Sequence, residues 1–170
     1  PRSTVTKRTG EKSGGDYRLA YELAVPAGQT TASLTYTFAA DGRIDVALEL
    51  RPAGEKLPVI PRVGLSAALI PDLREWSWFG RGPAENYSDR SEGYPLGVWF
   101  GDVAKLWFPY SEPQETANRT GVRWAAFLDQ KGSGLRFLGT DGQPLEVGAY
   151  PFGQDDLENR LHPTDIPARD

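Results

Sequence analysis

Along much of the chain, apolar and polar side chains alternate one for one, the period of an extended strand with one face buried and the other wet. Tyr17 to Val25 and Thr31 to Phe38 follow this pattern, and Leu34, Tyr36 and Phe38 share one face of the second run. Ile44, Val46, Leu48 and Leu50 resume it after Asp41-Gly42, a dipeptide that favours a two-residue antiparallel hairpin. Beyond a Pro/Gly-rich break at 51–58, Val59 to Leu69 and Arg74 to Phe79 read as strands separated by a turn at Pro71-Asp72. Trp124 to Leu128 and Leu135 to Leu138 flank the glycine-containing loop Asp129 to Gly134 and predict a second hairpin. A last strand is expected over Leu145 to Tyr150. The one helical candidate is Asp155 to Leu161, with Asp155 as its cap and Asp156 beside the positive N-terminal end. Residues 1–16, polar and rich in Gly, Lys, Ser and Thr, read as a flexible lead-in, which leaves residues 17–170 as the domain. Short strands, Gly and Pro turns and almost no helical period predict an all-β antiparallel sandwich.

Composition narrows the function classes. The 170 residues suffice for one domain with a core, and a 39% hydrophobic fraction that includes Trp76, Trp78, Trp99, Trp107 and Trp124 supplies it. With 19 basic and 23 acidic residues interspersed along the chain there is no basic stripe, which argues against nucleic acid as a partner. No apolar run approaches the roughly 20 residues that span a bilayer, and the first residues lack the apolar core of a signal peptide. A soluble chain is expected, with the cytoplasm favoured. The absence of cysteine removes disulfide and thiolate chemistry, and the lone His162 argues against a histidine metal site or a Ser-His-Asp triad. The absence of methionine, even at position 1, suggests a segment of a longer protein.

The region from Gly80 to Asn118 breaks the alternation with aromatics, Gly, Pro, carboxylates, amides and arginines. Long irregular segments of this kind usually serve function or interaction. Trp76 and Trp78, two apart in WSWFG, point to one face of a strand and form either core or a platform for a sugar ring. Glu85, Asn86, Tyr87, Asp89 and Arg90 place several hydrogen-bonding groups within six positions. They suit either sugar hydroxyls or an internal network that fixes the loop. A second cluster holds Glu112, Gln114, Glu115, Asn118, Arg119 and Arg123, in a stretch kept extended by Pro109 and Pro113. Glycoside hydrolysis needs two facing carboxyls, and Glu85 with Glu115 is the pair to nominate were this chain catalytic; the neighbouring arginines point to ion pairing instead. Sequons at Asn86 and Asn118 are short enough to recur by chance. Asp141-Gly142 and the loop after Asp129 lack the ligand spacing of a calcium site and read as turns.

GRGPAENYSDR at Gly80 to Arg90 closely resembles the G-x-G-P-x-E-N-Y-x-D-R signature of the C-terminal domain of large β-galactosidases of glycoside hydrolase family 2. PRVGLSAAL before it, the run through Gly97 and Trp107, and PYSEPQETANRTGVRW at Pro109 to Trp124 are similar to the same domain in the same order. The resemblance implies a large β-sandwich of the galactose-mutarotase-like (supersandwich) type, here an incomplete domain that lacks its opening strands. It implies partnership with a catalytic barrel, which carries the catalytic glutamates, and with the parent enzyme's other domains. It brings no catalytic residue, metal or cofactor to this chain. The family's substrate-touching tryptophan loop lies beyond the matched part, so bracing or shaping of a galactoside cleft is expected rather than catalysis. Ala117 and Gly121 depart from relatives, which often carry glycine and aspartate there. The alternative is an autonomous carbohydrate-binding module that uses Trp76 or Trp78 with Glu85, Asn86 and Arg90. Mutarotase chemistry, which often relies on histidine, finds only His162.

Overall fold

A computed structural model of the chain describes residues 3–26, 29–53, 59, 62–158 and 160–167, and these are predominantly extended. Their strands form several antiparallel sheets, an all-β, sandwich-like fold. The chain divides into two compact units, Pro1–Ser66 and Ala67–Asp170.

In the first unit β1 (Thr4–Ser13), β2 (Asp16–Val25), β3 (Thr30–Phe38) and β4 (Ile44–Arg51) pair in chain order as an antiparallel meander. The expected lead-in is therefore mostly strand, with β1 paired to β2 from Thr4 opposite Ala24 to Ser13 opposite Asp16. Its polarity hid it because β1 is an edge, exposed throughout, where Lys7, Arg8 and Lys12 are tolerated and discourage further pairing. The alternation in β2 and β3 matches apolar residues across the ladder, Leu19 to Tyr36 and Tyr21 to Leu34. Asp41-Gly42 does join β3 to β4, but through a three-residue loop. Ala39 N donates to Arg43 O (2.8 Å) and Gly42 N to Ala39 O (3.1 Å), with Gly42 at φ 87°. Asp41 Oδ1 accepts from Arg43 N at 3.0 Å, a side-chain-stabilised turn that uses the additional residue.

The second unit carries a four-stranded sheet in the order β6-β5-β8-β9, built from β5 (Glu75–Arg81), β6 (Leu96–Asp102), β8 (Trp124–Leu128) and β9 (Gly134–Leu138). A ribbon of β7 (Arg119–Val122) and β10 (Leu145–Val147) completes it. Strand β5 is central. Its WSWFGR sequence buries Trp76, Trp78 and Gly80 and leaves Ser77, Phe79 and Arg81 half-buried. Trp76 and Trp78 are fully enclosed in a cluster with Val122, Ala125 and Phe127, and Leu145, Val147 and Ala149 pack against it. Truncating one such ring costs about 3–5 kcal/mol.

Three further expectations change. Residues 62–69 form no strand, and Val63 and Leu65 are exposed, so alternation there does not report burial; residues 60 and 61 lie outside the described residues. The supposed loop region contains β6, and β7 follows directly at its end; in β6 Gly97 and Gly101 flank Trp99, which weakens the hydrophobic signal. It also holds the single turn α1 (Val103–Leu106), capped by Asp102. Asp155 to Leu161 is not an α-helix: Gln154–Leu157 is a 3₁₀ turn, and Asp156, not Asp155, binds back to Gly153 N at 2.6 Å. Asn159 lies outside the described residues.

Strand β7 passes so close to β5 that a Cβ on Gly80 would lie 2.9 Å from Val122 Cα and 3.2 Å from Thr120 O. Backbone cannot yield as a flexible side chain does. Gly80→Ala is expected to cost about 1–3 kcal/mol, read as a lowered urea midpoint at unchanged slope; an unchanged midpoint would mean that this crossing is not tight.

Candidate functional site

The motif after β5 folds against the segment that leads into β7, and a buried carboxylate joins them. Glu85 is 8% exposed. Its Oε1 accepts from Arg90 Nη2 (3.1 Å) and from the Tyr110 hydroxyl, and its Oε2 accepts from Thr116 Oγ1 (2.8 Å) and Ala117 N (2.6 Å). Burial by itself pushes this carboxyl up, but the donors Tyr110, Ala117, Thr116 and Arg90 together outweigh it and hold Glu85 below the ordinary carboxylate range. Ala117 reaches the carboxylate from a left-handed backbone, φ 63°, the conformation that favours glycine.

A second tie is made by two asparagines. Asn86 N donates to Asn118 O and Asn118 Nδ2 to Asn86 O, both at 2.9 Å. Asn86 Oδ1 accepts from Thr120 N (2.9 Å) and Thr120 Oγ1 (2.6 Å), and Asn86 Nδ2 donates to Ala84 O (3.0 Å). Asn118 Nδ2 also reaches Glu146 Oε2 at 3.1 Å. Both sequon asparagines are therefore buried, with their amide nitrogens engaged within the fold. Arg81 holds the following turn, since its Nη1 donates to Tyr94 O at 2.9 Å.

Arg119 connects this region to the core. It is 1% exposed, and its guanidinium sits 4.9 Å from the Trp78 ring centroid and 5.2 Å from that of Trp76. Nη1 donates to Asn118 O (3.1 Å) and Nη2 to Leu106 O (3.2 Å), while Nε has no hydrogen-bond partner. Burial lowers its pKa to about 10, against the opposing pull of Glu85, Tyr87 and Tyr94. It remains a cation at neutral pH, stabilised by two indole faces and backbone carbonyls.

Of the residues expected to share a site, Glu85, Asn86, Tyr87, Arg90, Asn118 and Arg119 converge, and Asp89, Gln114 and Glu115 are exposed. Tyr87 is half-buried, with its ring 5.3 Å beneath the Arg90 guanidinium, and burial raises its hydroxyl pKa well above the ordinary value. Trp76 and Trp78 are core; with both rings fully buried, neither offers a face to a sugar. Glu85 and Glu115 differ in environment, one enclosed by donors and the other open to solvent. A general acid needs a raised pKa, and Glu85 is shifted the other way. Sequence reasoning missed Tyr110, Thr116 and Thr120 as partners. Such residues are common surface types, and only the chain path brings them to Glu85 and Asn86. Among the described residues no group of three or more His, Asp or Glu side chains is placed to hold a metal.

Because the folded pKa of Glu85 is depressed, its stabilisation is fully present above the unfolded carboxylate value of about 4.3 and is lost as pH falls through the lower folded value. Glu85→Gln is expected to cost about 2–3 kcal/mol at neutral pH and to flatten the loss of stability below that range. Denaturation curves across the acid range check both; a variant with the parent's acid slope would show that Glu85 does not carry it.

Comparison with known proteins gives this geometry its family. Residues 2–170 match the family model described as beta galactosidase small chain. The chain is 34% identical over 152 residues to a β-galactosidase of Priestia megaterium, covering 89% of this chain and 14% of that protein. It is 40% identical over 130 residues to a β-galactosidase of Lactobacillus delbrueckii subsp. bulgaricus, covering 76% of this chain and 13% of that one. With the β-galactosidase BgaC of Bifidobacterium adolescentis it shares 37% identity over 151 residues, covering 86% and 14%. Alignments that fill most of this chain thus span only 13–14% of these relatives. Matched along nearly its whole length, the chain belongs to the β-galactosidase small-chain family.

Proposed function

We propose that this region is a non-catalytic accessory domain of a β-galactosidase that hydrolyses terminal β-galactosides. Its linked loops brace or shape the active-site cleft and the interface with the catalytic barrel. The observation that carries this reading is the enclosure of Glu85, whose two oxygens are each held by two donors of its own chain. A glycosidase acid must hand its proton to a leaving group, and a nucleophile must approach the sugar. The lowered pKa does not suit the acid, and occupation of both oxygens by donors in a buried position does not suit the nucleophile; such a carboxylate instead holds two loops in one geometry. Kinship to β-galactosidases over most of the chain supports the parent activity. Rigid supporting residues around a cleft affect turnover through small shifts of the groups they hold.

The test is Glu85→Gln in the full-length enzyme that contains this region, assayed on a β-galactoside across pH. A bracing role predicts a fall in kcat/KM of less than about tenfold, smaller than the usual 10²–10⁴ contribution of a general acid or base, with both limbs of the pH profile kept. A loss of that larger size with one limb abolished would make Glu85 a catalytic carboxyl and overturn the reading.

A further inference from the structure

We propose that the rim formed by Phe108, Tyr110 and Arg90 is where another domain of the same polypeptide docks, laying an apolar side chain on Phe108 and offering an acceptor oxygen to Arg90. The proposal rests on the accessory-domain reading and names the surface through which bracing acts. Phe108 remains 55% exposed although its ring packs on Tyr110, with centroids 4.7 Å apart. Tyr110 is pinned through its hydroxyl to buried Glu85, and Arg90 Nη2 lies 3.1 Å from both that hydroxyl and Glu85 Oε1. The Arg90 guanidinium also stacks 5.3 Å from the Tyr87 ring centroid. The Arg90 side chain is 49% exposed, and within this cluster its hydrogen bonds engage only Nη2. Among the described residues no hydrogen bond engages Nε or Nη1, which leaves them as donors to a partner.

Two features favour a protein surface over a sugar. Small ligands are bound by enclosure in a cavity lined by apolar walls, whereas Phe108 is a knob more than half in solvent. Tyrosine, arginine and phenylalanine are also the residues enriched at protein interfaces, the first two especially at their energetic centres. The cluster is already fixed by Glu85, so docking orders few side chains and costs little entropy. Among candidate proteins, the same polypeptide is favoured. Alignment with this region spans only 14% of a relative, so the rest of such a chain is tethered to it at high effective concentration.

The experiment is Phe108→p-benzoylphenylalanine in the full-length enzyme, followed by irradiation and mapping of the cross-link. A bond to a residue of the same chain outside this region is expected. Cross-linking to a second copy, or none at all, overturns the proposal. Hydroxyl-radical footprinting of the unmodified enzyme gives an independent reading: protection of Phe108 like that of buried Trp76 is expected, and labelling as an open ring overturns it. The two proposals fail separately. A cross-link to a second copy removes the docking assignment while a modest Glu85→Gln effect keeps the accessory reading; an abolished pH limb removes the accessory reading wherever the cross-link maps.

Discussion

A carboxylate taken out of water must recover its hydration from the protein, and the loops of the second unit are built around that demand at Glu85. Hydroxyls, a backbone amide and a guanidinium surround it, drawn from residues five to 32 positions away. An ion enclosed in this way tolerates little displacement, because moving one donor leaves charge under-solvated at a cost of about 1–3 kcal/mol or more. The Glu85 charge thereby sets the separation of two segments that have no sheet between them. Asn86 and Asn118 then repeat the connection with neutral bonds.

Arg119 carries the same order inward. Its guanidinium lies over the two tryptophans of the core, and its donors reach carbonyls at Asn118 and Leu106, so the packing of β5 and the course of the loops are coupled. Burial of this cation is opposed by desolvation and helped by the nearby anionic Glu85.

The tryptophan pair illustrates how residue type misleads without depth. Two indoles at strand spacing fit a sugar platform and a core equally well on paper. Burial decided for core, because β7 and β10 cover that face of the sheet and the glycine at position 80 lets β7 approach it. One exposed aromatic, Phe108, lies instead on a segment with no regular period to single it out, packed on the half-buried Tyr110.

By itself the sequence determined the β class, the strands β2, β3, β4, β5, β8 and β9, and both hairpins, since each depends on alternation and turn residues within a few positions. The carboxylate, amide and arginine of the motif at Gly80 to Arg90 also announced a polar network. Only the tertiary structure decided that β1 is a paired edge, that residues 62–69 are not a strand, and that Glu85 is tied to Tyr110 and Thr116. The physical reason is common to these cases. Local pattern records which side chains prefer burial, but edge position, depth and the partner of a buried charge depend on which distant segment crosses above it.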